Sequence, residues 1–440
     1  MENLLQSDIK STYFKYLGAA FGSAMITAIY SMVDAAVVGQ YQGPQGSAAL
    51  SIVMPIWTIL YSIGLLVGIG GSVNYAFFKA QDKLDKANAY FTLSLLLVGG
   101  IAAACWAGIC LFEEPLLRLF GADDALLPLA KEYLTFVKYV VPVYPFSQFF
   151  AAFLRNDNAP GKATFAVLFG GVFNVFGDIF FTFDFGLGMG IRGAGLATAL
   201  GGVLTNLIML SHFFGKRNTL RLSRVFGHVH KARLVTVNGL SSFVADVSMG
   251  IVAMMFNRQV MHYFGADALA VYGVIVQITS AVQCSAYGVG QAAQPLLSAN
   301  FGAGLQGRIR QTRKYALATT ALFGVIWCAL MALCPLACVR LFMSPTEAVL
   351  QIAPGILRVY GLSYLLLPFN VFATYYFPAV GRARPATVVS LSRGIVVCGI
   401  LVYTLPALIA PAAVWWVMPI TELLVALYVL RAMRTPKAPA

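Results

Sequence analysis

Charge is scarce in this 440-residue chain: Asp, Glu, Lys and Arg together make 11% of it, and only 17 residues are acidic. So few charged groups cannot clothe the surface of soluble domains of this size. Histidine is rarer still, with four residues, and the pair His228-x-His230 stands in a basic loop without further ligands, so it reads as solvated loop and not a metal site. The seven cysteines, Cys105, Cys110, Cys284, Cys328, Cys334, Cys338 and Cys398, fall almost wholly in apolar stretches and form no Cys-x-x-Cys. That spacing excludes a disulfide framework or zinc module and leaves small packing residues. Phosphate-binding loops are imitated but absent: Gly68-x-Gly70-Gly71 lies inside an apolar helix and Gly186-x-Gly188-x-Gly190 in a short turn, where packing and turn geometry account for them. No D-x-x-x-D or D-D-x-x-D cluster stands near a membrane boundary, as a Mg²⁺-diphosphate prenyl-transferase-like enzyme would need. The start of the chain, with Glu2, Asp8, Lys10 and Lys15, does not form a cleavable signal peptide, so the first apolar segment is expected to stay as an anchor.

What is abundant is apolar surface: 59% of residues are hydrophobic and the mean hydropathy is +0.77. This is an integral membrane protein. Stretches near the span length of roughly 20 residues predict about twelve helices, at 12–38, 46–77, 88–112, 129–153, 162–183, 192–214, 234–263, 268–299, 313–338, 351–378, 385–406 and 411–431. The net charge of +13 is a topology signal and not a nucleic-acid footprint, because it resides in short alternate loops. One set carries Lys79, Lys83, Lys86, Arg155, Lys162, the cluster from Lys216 to Arg233, Arg308, Arg310, Arg313, Lys314, Arg382, Arg384 and the tail; the other has little beyond Arg118, Arg192, Arg258 and Arg340. Positive-inside then predicts a multi-pass protein of the cell membrane with both termini in the cytoplasm.

The chain also repeats itself. A shift of about 222 residues lays Gly43 on Gly265, Ala48 on Ala270, Val67 on Val289 and Gly68 on Gly290, and a nearly equal shift lays Pro145-Phe146 on Pro368-Phe369 and Ala163-Thr164 on Ala386-Thr387. The expected architecture is all-α: two six-helix lobes, 1–214 and 234–440, related by a pseudo-two-fold along the membrane normal and joined by a basic cytoplasmic linker, 215–233.

Against this background four acids are conspicuous. Asp34, Asp178, Asp246 and Glu422 lie within apolar spans, where a carboxylate is costly and is tolerated facing a cavity or partner. Asn174 and Asp178 are four apart, hence on one helix face. On the predicted topology Asp34, Asp178 and Thr198 all fall within roughly 10 Å of the outer surface at 1.5 Å per residue. Oxygen groups from three helices at one depth suit a proton network or a hard cation such as Na⁺. In the second half the aligned positions are apolar, Phe256 for Asp34 and Val397 and Leu401 for Asn174 and Asp178, so the architecture itself does not require them. Asp246 follows Gly239-Leu240-Ser241 in span seven and is a candidate substrate or second proton site with Gln277; Arg393 and Glu422 share a depth in neighbouring spans and read as a structural ion pair.

Specific runs resemble a known family. Gln294-Pro-Leu-Leu-Ser-Ala-Asn300-Phe-Gly302, after Gly288-x-Gly290, is similar to the Q-P-x-x-x-x-N-x-G signature of multidrug and toxic compound extrusion (MATE) transporters. Tyr30-x-x-x-Asp34 with Val38-Gly39 resembles the family's first helix, and Asn174-x-x-x-Asp178 preceding Gly193-Ala-Gly-Leu-Ala-Thr198 its fifth and sixth. The likeness spans nearly the whole chain and is nearest the bacterial MepA-like and DinF-like branch. Where the family pattern has G-L-P followed by a glutamate in span seven, this chain has Ser241 and the shorter Asp246.

The resemblance implies an alternating-access antiporter, not an enzyme, that exports small-molecule drugs, often organic cations, in exchange for H⁺ or Na⁺. It implies no other cofactor, ion coupling at Tyr30, Asp34, Asn174, Asp178 and Thr198, and a monomer in the lipid bilayer. A lipid-linked saccharide flippase would share the fold, but it requires a strongly basic cavity, whereas the intramembrane residues here are predominantly acidic.

Overall fold

The computed structural model describes residues 4–122, 124–216, 218–223, 231–342 and 345–434, and among these the regular structure is all helical, with no strand. His228-x-His230 and part of the basic linker lie outside the described residues. The outcome follows from the solvent: lipid offers no hydrogen bonds, so a spanning segment must satisfy its backbone internally, as a helix does.

Eleven helices are long and apolar enough to cross a membrane. They are α1 Ile9–Gly43, α2 Ala49–Lys79, α3 Leu84–Leu111, α5 Pro160–Thr182, α6 Ile191–Phe214, α7 Ala232–Gly265, α8 Asp267–Gly302, α9 Gln306–Leu333, α10 Glu347–Ala379, α11 Ala383–Leu408 and α12 Pro411–Arg434. The fourth predicted span, 129–153, is present as α4 but broken into Leu127–Val137, a 3-10 turn Lys138–Val140, and Val143–Asn156. Pro142 and Pro145 cause the break, since proline supplies no N–H and crowds the preceding turn. The repeat-related α10 has its own 3-10 turn at Leu362–Leu365, just before Pro368.

Two pivots carry the repeat into the backbone. Gly43 (φ 67°, ψ −154°) ends α1, and Gly265 (φ 76°, ψ −163°) ends α7. Both lie where only glycine sits without strain.

The chain separates into two compact units. One comprises Gly18–Phe243, Ser298–Gly304 and the residues before Asp8; the other comprises Asp8–Leu17, Val244–Leu297 and the chain from Leu305 onward. In the first unit, small residues let helices approach closely. A Cβ at Gly170 of α5 would lie 1.9 Å from Thr205 Oγ1 of α6, and one at Gly177 would lie 2.9 Å from the Ala197 Cβ. The opposite face of α5 is a stripe of exposed Phe165, Phe169, Phe176 and Phe180, as expected of a helix that meets lipid there. The aromatic core beneath groups Phe91, Phe149 and Phe153, with Phe149 and Phe153 centroids 4.7 Å apart. All seven cysteines are free, and Cys398 packs its sulfur 3.7 Å from that of Met418.

Candidate functional site

The tight α5–α6 seam decides where polar groups meet. It turns Asn174 and Asp178 towards Thr198, and Asn174 Nδ2 donates to Thr198 Oγ1 at 3.1 Å and to Asp178 Oδ1 at 3.4 Å. Asp34 of α1 reaches the same node through α4: Tyr133 Oη donates to Asp34 Oδ2 at 2.9 Å and lies 3.4 Å from Thr198 Oγ1. The groups are nearly sealed, at 6% exposure for Asp34, 3% for Asn174 and 0% for Asp178. Asp34 Oδ1, Asn174 Oδ1 and Asp178 Oδ2 are buried and receive no hydrogen bond from the described residues.

Three unsatisfied acceptors in a sealed pocket are unusual, because each forgoes solvation without compensation. The donors that do reach the node, a phenol, an amide and a hydroxyl, are all neutral. Such an arrangement can accept positive charge, either a proton on a carboxylate or a small cation held by oxygen. No group of three or more His, Cys, Asp or Glu side chains that could hold a metal occurs among the described residues. Tyr30 stands one turn before Asp34, and its ring packs over α5, where a Cβ on Gly171 would be 3.2 Å from Tyr30 Cδ1.

Tyr133 and Tyr144 were not among the expected site residues. Tyr144 Oη donates to the Thr198 carbonyl at 3.0 Å, and its ring lies 4.4 Å from that of Trp57. The signal was available in the repeat: a shift of 223 residues lays Tyr133 on Ile356 and Tyr144 on Leu367. That is the polar-on-apolar asymmetry that marks Asp34.

In the second unit Asp246 is engaged from α8. Tyr287 Oη donates to Asp246 Oδ1 at 3.2 Å, and Gln283 Nε2 donates to Tyr287 Oη at 3.0 Å. Gln277, by contrast, is exposed, and the buried Gln283 is the glutamine joined to Asp246. Deeper in this unit Glu422 is fully buried and saturated: Arg393 Nη2 donates to its Oε1 at 2.8 Å, Arg393 Nε bridges both oxygens at 2.9 and 3.1 Å, and Asn370 Nδ2 donates to Oε2 at 2.6 Å.

A further ionic cluster, also unanticipated, closes the end of the first unit where α2, α4 and α6 finish. Asp157, between α4 and α5, accepts from Lys79 Nζ at 2.6 Å, from Tyr75 Oη at 3.1 Å and from the Thr219 backbone N–H at 3.0 Å; it also bonds the Thr219 hydroxyl. His212 Nε2 lies 2.8 Å from Asp157 Oδ2, the oxygen that also accepts the Thr219 N–H. Burial alone raises this carboxyl, but the His212 hydrogen bond and the Lys79 charge outweigh it and hold Asp157 down at about 2.

Comparison with known proteins shows what the chain as a whole is similar to. The family model described as MatE matches residues 19–180 and again 241–404, two segments whose starts are 222 residues apart, the same offset as the internal repeat. The chain is 24% identical over 407 residues to the multidrug export protein MepA of Staphylococcus aureus strain NCTC 8325 / PS 47, covering 92% of this chain and 88% of that one. It is 23% identical over 408 residues to MepA of Staphylococcus saprophyticus, covering 92% and 89%. Among solved structures, an outward-facing multidrug resistance MATE family transporter of the MOP superfamily superposes with a TM-score of 0.89 at 20% identity, over 98% of this chain and 97% of the other.

Proposed function

The chain belongs to the MatE family of membrane transporters, and from that premise we propose that it is a multidrug efflux antiporter exporting organic, often cationic, compounds in exchange for H⁺ or Na⁺. It is a transporter and not an enzyme. The observation that carries the coupling is the node of Asp34, Tyr133, Thr198, Asn174 and Asp178, whose three buried, unbonded oxygens want positive charge. The MepA relatives, named as multidrug export proteins, support the direction of transport.

The cycle follows from differential affinity. An ion that binds the node better in one state shifts the population towards that state, and it does so only to the extent of that difference. Loading Asp34 and Asp178 with positive charge removes the cost of their burial and favours the closed form; expulsion of the compound accompanies that closure. Unloading on the opposite side admits water and resets the site. In this reading residues 1–214 and 234–440 are the moving lobes, 215–233 is their cytoplasmic linker, and the working unit is a monomer in the cell membrane with both termini inside.

Proteoliposomes holding the purified protein, with pH and Na⁺ gradients imposed separately, test this. Tetramethylrosamine, a permanent organic cation, is expected to move against its gradient when one of the two ion gradients is applied and to stop when that gradient collapses. Asp34→Asn and Asp178→Asn should each lower coupled transport by at least about tenfold, a loss of roughly 1.4 kcal/mol in coupling. Unimpaired transport in both variants would place the coupling elsewhere.

A further inference from the structure

The second unit contains an open cavity whose non-atom space of about 600 Å³ includes the solvent at its mouth. Tyr272, Tyr360, Met249 and Met418 supply its aromatic and thioether walls, and Arg393 is among the residues that line it. The residue is nine-tenths buried, at 9% exposure. Its hydrogen bonds are unevenly spent: Nε and Nη2 both serve Glu422, whereas Nη1 makes no bond among the described residues. An arginine carries five N–H donors in a fixed fork, so an ion pair through one edge leaves the remaining donors with a defined direction.

The backbone has been shaped to hold this edge in place. α11 widens into a π-helical turn over Ser392–Val396, a rare departure that is frequent at functional sites. At the next residue α11 closes on α7: a Cβ on Gly394 would lie 2.0 Å from the Cβ of Ser248, itself a cavity residue. Asn370 Nδ2 also holds Glu422, donating to its Oε2 and to its backbone carbonyl. An ordinary buried ion pair needs none of this, since its donors and acceptors satisfy each other.

We propose that this cavity is a ligand site of its own, distinct from the ion node, and that Arg393 Nη1 receives a hydrogen-bond acceptor, a carboxylate or conjugated carbonyl, on an aromatic compound lying between the tyrosines and methionines. The Arg393–Glu422 pair sums to zero charge, so the site selects the acceptor group and not net negative charge. Zwitterionic and neutral aromatic compounds fit it. It rests on the export reading for its physiological meaning and assigns Arg393 as the residue that recognises the acceptor group.

Two dyes with the same xanthylium ring separate the possibilities: tetramethylrosamine, without a carboxylate, and tetramethylrhodamine, which adds one. Binding to the purified full chain is read by fluorescence anisotropy. The wild type is expected to hold the carboxylate dye on the order of tenfold more tightly, the size of one charged hydrogen bond. Arg393→Lys keeps a cation for Glu422 but gives up the second edge of the fork, and it should erase the preference, so that the two dyes bind alike. The paired variant Arg393→Met with Glu422→Gln leaves no unmatched charge and reads the same quantity should the single variant misfold. A preference that survives both variants, or a wild type that shows none, overturns the proposal. Absence of dye movement in proteoliposomes, with the binding preference intact, would instead count against export alone.

Discussion

At the scale of single residues, burial and charge separate the ionisable groups by task. The carboxylates of Asp34 and Asp178 are buried with oxygens to spare, which suits an exchangeable ion; Glu422 is buried with its oxygens bonded, which suits permanence. Asp157 is permanent too, and it makes a pH prediction. Its folded value of about 2 lies below the ordinary 3.8, so its contribution is fully present above about pH 4 and fades as pH falls towards 2. The shift corresponds to on the order of 2 kcal/mol at neutral pH. Thermal melts of wild type and Asp157→Asn in detergent should therefore differ most at pH 7 and converge between pH 4 and pH 2. A gap that stays constant across that range would show that Asp157 is held by packing and not by its charge.

At the scale of elements, glycine and proline decide where helices end and how closely they approach. Gly43 and Gly265 adopt a conformation closed to side chains, although open space surrounds both. Substitution there tests backbone strain alone. Gly43→Ala and Gly265→Ala should each destabilise by about 1–3 kcal/mol, whereas Gly18→Ala, in regular helix with equal space, should be neutral or stabilising by up to about 1 kcal/mol. The measurement is the melting temperature of the three variants side by side, and equal shifts in all three would refute the assignment of special strain. The twelve predicted spans were legible in the hydropathy to within a few residues at most ends, with larger departures at the end of α1 and at both ends of α9. The break in α4 was not, because its apolar content masks a helix that proline divides into pieces too short to span alone.

At the scale of the whole molecule, a duplicated plan has been specialised. Both halves match one family model, both turn at a glycine pivot and both break before a proline, yet the polar groups differ. Asp34 answers to Phe256 in the second half, while Thr198 answers to Thr421 beside Glu422. The distribution of Lys and Arg gives the molecule an expected orientation: green fluorescent protein fused at either terminus should fluoresce, having folded in the cytoplasm, and alkaline phosphatase inserted in the turn near Gly186 should be active outside. The reverse pattern would invert the proposed topology.

The sequence by itself determined the class, the count of spans, the repeat and the family, because each depends on patterns carried along the chain: apolar length, the alternation of basic loops and recurrent motifs. It also marked Asp34, Asn174, Asp178 and Thr198 by their depth and by the apolar residues opposite them in the repeat. Only the tertiary structure decided which groups touch. Tyr133 enters the node from a broken helix, Gln283 and not Gln277 joins Asp246, and Arg393 keeps one edge free, because these outcomes depend on helix rotation and on close approach at residues such as Gly170 and Gly394. A hydropathy pattern gives the depth of a side chain in the membrane; the angle at which it meets its neighbour is set only when the helices pack.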